Sequence, residues 1–234
     1  MSDRKQILIL ADHASNFIPT NKNNLGLNKK QINSHIAYDL GVKQLAETLS
    51  KQLNCYCILG KYSRLMIDLN RDTNDPTLIS AISDKVIIPG NCKISTSDKR
   101  IRLNEAYNYY HDEIKNLIRQ KEIKFLISLH SFNPIFKAKK RIIKFGVLSN
   151  NDRRLSEIVI NQFKEKNCAV GDNKPYEGNL IGDTMYKHGL KNNIPHTLIE
   201  VRNDLLSTPK KIKDTAGLIC KIIRSSEKPL QKYL

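Results

Sequence analysis

No apolar run in the 234-residue chain approaches the length of a membrane span or of a secretion-signal core, and the charged start MSDRKQ leads straight into a strand-like stretch. A cytoplasmic protein without membrane association is expected. Cysteine is too sparse and too irregular for a scaffold: five thiols, an odd number with no Cys-x-x-Cys and no Cys/His finger spacing, argue against a disulfide framework and a structural zinc. Cys55 and Cys57, two apart on an expected strand, read as core packing. Acidic residues are also scarce, 23 against 39 Lys and Arg, for a formal net charge of +16. Such an excess raises nucleic-acid binding as a possibility. The lysines are spread along the chain, however, with no helix-turn-helix, RNA-binding aromatic signature or basic tail. The charge therefore reads as a solvated surface. The exception is KAKKRIIK, residues 137–144, which would form a basic rim steering an anionic substrate.

What is present is a set of apolar runs that end in polar, chemically capable residues. FLISLHSF, residues 125–132, has the continuous hydrophobicity of a strand buried on both faces and delivers His130 near its C-terminal end. ILILADHAS, residues 7–15, runs into Asp12 and His13, and HTLIEVRND, residues 196–204, runs into Glu200 and Arg202. One polar residue at a strand end is most simply structural. Three such ends suit the crevice beyond the carboxyl edge of an open α/β sheet, where such folds place their sites.

Between these runs the pattern alternates strand with helix. A helix is expected from near Asn28 and a second after Asp39 as N-cap, with Leu40, Leu45, Leu49 and Leu53 as its apolar stripe. CYCIL, residues 55–59, reads as a strand, and YSRLMIDLNR, residues 62–71, alternates like one. Residues 72–90 form a long excursion with Pro76 and Pro89. A long charged helix over residues 97–122 should bury Leu103, Tyr107, Tyr110, Ile114, Leu117 and Ile118, with His111 structural. Further strands are expected over residues 142–148 and 168–170, helices over 152–166 and 209–224, and a short helix around 184–188. The length fits one domain over residues 1–234, with a largely parallel sheet covered on both faces.

The chemistry these ends allow is metal-assisted. His13 and His130 offer neutral imidazoles to a divalent ion, with zinc the natural choice, and a catalytic zinc needs a third protein ligand. Asn16, three residues after His13, is one candidate and Asp12 the competing one. Glu200 has the chemistry of a general base, or else pairs with Arg202. Arg64, Arg71 and Arg202 offer planar forks for carboxylates. Tyr176 is a candidate donor to an oxyanion, and His35 and His188 are candidates to line the pocket.

The series DHASNFIP (residues 12–19), HIAYDLG (35–41), YSRLMIDLNR (62–71), IPGN (88–91), LHSFNP (129–134), PYEG (175–178), HG (188–189) and IEVRNDL (199–205) resembles the N-formylglutamate amidohydrolase family. The motifs fall in the same order over residues 12–205. The resemblance implies a single three-layer α/β/α domain with a mixed, largely parallel sheet, like that of zinc exopeptidases. It also implies cleavage of a small N-acylated acidic amino acid, typically N-formyl-L-glutamate to formate and glutamate, with one divalent ion. A more distant similarity to zinc carboxypeptidases places His13 and His130 on the metal and Glu200 as base. Asn16 stands where that pattern has a glutamate, and Asp12 where the amidohydrolase motif usually has one. The rival readings are a deacylase or peptidase for another acyl group or a peptidoglycan-type amide, a binding protein of the same fold without turnover, and a nucleic-acid binder resting on charge alone.

Overall fold

A computed structural model describes residues 6–234; the charged residues 1–5 lie outside the described part. Strands form where apolar runs are bounded by charge or turn residues. They are β1 (Ile7–Ala11), β2 (Tyr56–Leu59), a small hairpin of β3 (Ile82–Ser83) and β4 (Val86–Ile87), β5 (Phe125–Phe132), a second hairpin of β6 (Ile135–Phe136) and β7 (Lys139–Lys140), β8 (Phe145–Leu148), β9 (Val170–Asp172) and β10 (His196–Arg202). The helices are α1 (Lys29–Ile32), α2 (Val42–Leu53), α3 (Pro89–Cys92), α4 (Thr96–Arg102), α5 (Tyr109–Gln120), α6 (Ser156–Glu165), α7 (Thr184–His188) and α8 (Pro209–Leu230). Six strands make the central sheet in the order β2-β1-β5-β10-β8-β9, parallel throughout except where β8 runs antiparallel to β10.

The alternation of side chains along each strand divides the core. Ile7, Ile9 and Ala11 of β1, with Ile127 and Leu129 of β5, pack under α2, α6 and α8. Leu8, Leu10, Leu126 and Leu198 face the other way, onto Tyr110 and Ile114 of α5 and Met185 of α7. Helices on both faces give the expected three-layer α/β/α arrangement. A third apolar cluster, with Leu25, Ile36, Leu65 and Ile88, builds a floor of loops away from the sheet. Among the described residues, no helix is long and apolar enough to cross a membrane. All five cysteines are free, and burial pushes Cys55 up to about 12 and Cys57 up to about 11, in keeping with packing rather than reactivity.

Three expectations need correction. The run YSRLMIDLNR is turn and coil rather than strand. Its amides bond singly to scattered acceptors, Arg64 N to Ala37 O and Asp68 N to Leu78 O, while its apolar residues divide between two clusters: Ile67 and Leu69 under the sheet, Leu65 and Met66 in the loop floor. Asp39 is not the cap of α2. Gly41 holds that position at φ 79°, where a side chain is strained, and Asp39 turns its carboxylate elsewhere. The long helix is interrupted: α4 passes into a π-helical turn (Leu103–Asn108) before α5 continues. Such turns recur where a helix adjusts around a functional site.

A buried histidine pair lies between α5 and α7. His111 Nε2 donates to Leu69 O at 3.1 Å, so the neutral ring must accept at Nδ1, where His188 Nε2 lies 2.8 Å away and donates. Burial pushes His188 down to about 4 and His111 down to about 3, the latter helped by its histidine neighbour. The unfolded chain, with histidines near 6.5, binds more protons than the folded one below that pH, so acid removes stability. Stability should therefore fall as pH drops from about 6.5 toward 4, by up to roughly 1.4 kcal/mol per pH unit for each histidine. His188→Gln, which keeps a donor toward His111, should flatten that slope in melting temperatures measured across the range. A slope unchanged by the substitution would clear the pair of this role.

Candidate metal and active site

The sheet brings its polar strand ends together by register. Glu200 of β10 and His130 of β5 are direct partners on neighbouring parallel strands, so both side chains emerge side by side on one face. His13 follows the end of β1, the strand on the other side of β5, and its ring meets that of His130 edge to face at 4.8 Å.

Each ring is turned by a carboxylate behind it. His13 Nε2 lies 2.7 Å from Asp68 Oδ1, and His130 Nε2 lies 3.0 Å from Asp12 Oδ2. Both Nδ1 atoms consequently face Asp39, whose Oδ2 is 2.9 Å from His130 Nδ1 and 3.6 Å from His13 Nδ1. His13 Nδ1 is buried without a hydrogen-bond partner. A ligand atom from each of His13, Asp39 and His130 lies within 4.8 Å of the other two. Two imidazole nitrogens and a carboxylate oxygen, converging with the far side of each ring held by a carboxylate, are a donor set that could hold a metal ion. The orphaned nitrogen fits an ion better than it fits a metal-free core.

Charge in this cluster is ordered by mutual contact. Burial opposes ionisation of Asp39, Asp12 and Asp68, yet the facing histidines, and Arg64 beside Asp68, hold all three well below the usual carboxylate range. Asp12 also accepts from Ser128 Oγ at 3.1 Å and from Thr184 Oγ1. Glu200 behaves oppositely. Burial lifts it to about 7, Asp39 adds to that lift, and the histidines and Arg64 only partly offset it. Its Oε2 is buried without a hydrogen-bond partner. A carboxyl group poised near neutrality beside a metal-type donor set has the properties of a general acid/base.

A cavity of about 330 Å³ opens over the cluster, and it takes in His13, His130, Glu200, Arg64, Arg71 and Tyr176. Arg64 is held on Asp68 at 2.8 Å and near Asp39 at 3.6 Å. Arg71 donates to Thr77 Oγ1 and to the carbonyl of Asn70. Tyr176 is 45 % exposed, not core, and its loop fits closely because Gly146 and Gly178 have no side chains: a Cβ would meet Lys174 O at 2.3 Å or Ser149 N at 2.3 Å.

Five residues expected in the site take other places. Asn16 gives its amide nitrogen to Ile32 O and Asn33 Oδ1 and is not among the residues that line the cavity with the histidines, and Asp12 stands behind His130 rather than in front. His35 pairs at the surface with Asp84. His188 is taken up by His111. Arg202 forks onto Asp204 and donates to Arg141 O at 2.7 Å, which anchors the base of the β6/β7 hairpin instead of reaching the cavity. Residues 137–144 form much of that hairpin and the segment after it. The sequence reading missed the roles of Asp39 and Asp68. Both stand inside the motifs HIAYDLG and YSRLMIDLNR, and an acidic residue in an otherwise apolar run was the available signal.

Comparison with known proteins identifies the family. A family model described as N-formylglutamate amidohydrolase matches residues 5–207. The structure of gene product Atu2144 from Agrobacterium tumefaciens superposes with a TM-score of 0.93 at 26% identity, covering 98% of this chain and 93% of that one. N-formylglutamate amidohydrolase from Ralstonia eutropha JMP134 superposes with a TM-score of 0.71 at 18% identity, covering 95% and 94%. No curated protein sequence matches. With most of its length matched by the family model, the chain belongs to the N-formylglutamate amidohydrolase family and is an amidohydrolase.

Proposed function

We propose that the protein hydrolyses the linear amide of small N-acyl amino acids with one divalent ion, zinc by donor type, held by His13, Asp39 and His130. N-formyl-L-glutamate, cleaved to formate and glutamate, is the reference substrate that the family indicates. The observation that carries the reading is the pairing of an unsatisfied, buried Glu200 with two imidazole nitrogens turned into the same cavity. When bound, the ion supplies Lewis-acid polarisation of the acyl carbonyl and makes water a better nucleophile near neutral pH. Glu200 takes a proton from the attacking water and returns it to the departing amine, so that one water is consumed per amide cut. Arg71, on the cavity wall, holds a substrate carboxylate; Arg64, anchored on Asp68, and Tyr176 stand ready as donors to the developing oxyanion. A small-molecule partner rather than nucleic acid, in the cytoplasm, completes the reading.

Asp39 in place of Asn16 as third ligand gives a direct test. Alanine at His13, Asp39 or His130 should strip the ion, seen as loss of stoichiometric zinc by elemental analysis, with affinity falling by far more than tenfold. Asn16→Ala should retain it. Zinc retained at full occupancy by Asp39→Ala would return the third-ligand assignment to Asn16 or to solvent.

Glu200→Gln preserves shape and removes the base. It should keep fold and zinc while losing on the order of 10² to 10⁴ in kcat. Near wild-type turnover would remove Glu200 from the mechanism. Formate release, assayed beside acetate and succinate release from the matching substrates, separates formyl hydrolysis from a broader deacylase.

A further inference from the structure

Away from the histidines, the cavity floor ends on a polar group whose orientation is fixed. Glu200 and Gly146 are register partners at the metal end, and Leu198 and Leu148 are the next pair on the same face. One step further, His196 and Asn150 stand side by side, with Asn150 Nδ2 3.2 Å from His196 Nε2. Two such steps put Asn150 roughly 13 Å from Glu200 along the strands, at about 3.3 Å per residue. The leucine pair between them packs with Met185 of α7.

Hydrogen-bond accounting sets the amide. His196 Nδ1 donates to Ile194 O at 2.8 Å, so in the neutral ring Nε2 is an acceptor. The ring is buried, and burial pushes its pKa below the ordinary histidine value although Asp152 Oδ2 lies 3.6 Å from Nδ1. An acceptor at that place requires the amide nitrogen of Asn150, not its oxygen. The oxygen is taken up by the backbone N–H of Asp152 at 2.9 Å. Of the two hydrogens on Nδ2, one goes to His196, and the other has no acceptor among the described residues. Asn150 is 8 % exposed and lines the cavity, so the spare hydrogen is there for a bound molecule. Other neutral polar groups of the cavity serve elsewhere: Ser131 Oγ donates to Leu40 O, Asn70 adjoins Arg71, and Tyr176 stands at the exposed rim.

A formyl group ends at the carbonyl carbon that is attacked beside Glu200, so the half of the substrate that can extend along the floor is the amino acid. We infer that Asn150, oriented by His196, is a specificity-determining donor that recognises an acceptor oxygen at the end of the substrate's side chain, carboxylate or carboxamide, carried on methylenes over Leu148 and Leu198. The carboxylate next to the amide nitrogen is left to Arg71. This rests on the hydrolytic reading above and adds a residue to its amino-acid half.

The test compares N-formylglutamate with N-formylnorvaline, which keeps the two methylenes and ends in a methyl group, on the zinc-loaded protein. In the wild type, kcat/KM should favour the glutamate compound by about tenfold or more, the scale of one hydrogen bond to a charged acceptor. Asn150→Asp keeps an oxygen toward the Asp152 amide and puts an acceptor where the donor was. It should abolish the preference, through KM rather than kcat. His196→Gln, whose carbonyl oxygen can still accept from Asn150, should retain the preference, whereas His196→Leu, which frees the amide to turn, should lose it in the same parameter. Each readout is a ratio between two substrates, which a general loss of stability does not move. Calorimetric binding of both compounds to the Glu200→Gln protein, with and without Asn150→Asp, should follow the same pattern. A wild type that does not distinguish the two compounds, or a glutamate preference that survives Asn150→Asp in turnover and binding, would overturn the inference while leaving hydrolysis intact. Absence of turnover on both, with a binding preference that Asn150→Asp abolishes, would instead remove the hydrolytic reading and uphold the role of Asn150.

Discussion

The structure depends on a line of alternating acids and imidazoles buried at the edge of the sheet. Asp12 braces His130, Asp39 lies between His130 and His13, and Asp68 braces His13 and ends on Arg64. Each member satisfies a neighbour that burial would otherwise leave exposed to a large desolvation penalty. Removing one acid would free a ring to turn and would leave a charge uncompensated. The position left unsatisfied, His13 Nδ1, is the one that a bound cation would complete.

The line draws its members from four separate stretches between residues 12 and 130. Asp12 and His13 come from the end of β1, Asp39 from the turn before α2, Arg64 and Asp68 from the coil after β2, and His130 from β5. That coil cannot pair as a strand because its amides serve loops on two sides, and the same departure from regular structure lets Asp68 reach one way to His13 and the other to Arg64. The acid that orders a metal-type ligand thereby also holds a cavity arginine. Behind it, the His111–His188 pair and Tyr107 secure the carbonyls of Leu69 and Arg71, so a polar network in the helical layer sets the wall of the cavity.

Hydrophobic pattern alone was sufficient for much of this. The five buried residues of β1 are a continuous apolar run, and the first five of β5, apart from Ser128, are another, and a run of that kind has few places to go except a sheet covered on both faces. His13, His130 and Glu200 were legible as candidates because each interrupts or ends such a run. The α2 stripe of Leu45, Leu49 and Leu53 and the buried Tyr107, Tyr110 and Ile114 were equally legible, since 3.6-residue periodicity needs no knowledge of partners. The alternation in YSRLMIDLNR misled for the same reason: a period of two states that two sides are apolar, not that the backbone pairs with a strand.

The sequence by itself determined the central strands, the amphipathic helices that cover them and the gathering of acids and histidines at the strands' carboxyl ends, because burial of apolar surface is a local, composition-driven constraint. Only the tertiary structure decided which acid faces which ring. Asp39 and His130 are 91 residues apart, and His13 and Asp68 are 55 apart, so their meeting depends on the path of loops and on register across β1, β5 and β10. Asn16, nearer His13 in sequence than either acid, is drawn off by Ile32 and Asn33, and Arg202, two residues from Glu200, is drawn off by Asp204. A polar side chain goes where its hydrogen bonds can be satisfied, and that is a property of the assembled fold, not of sequence distance.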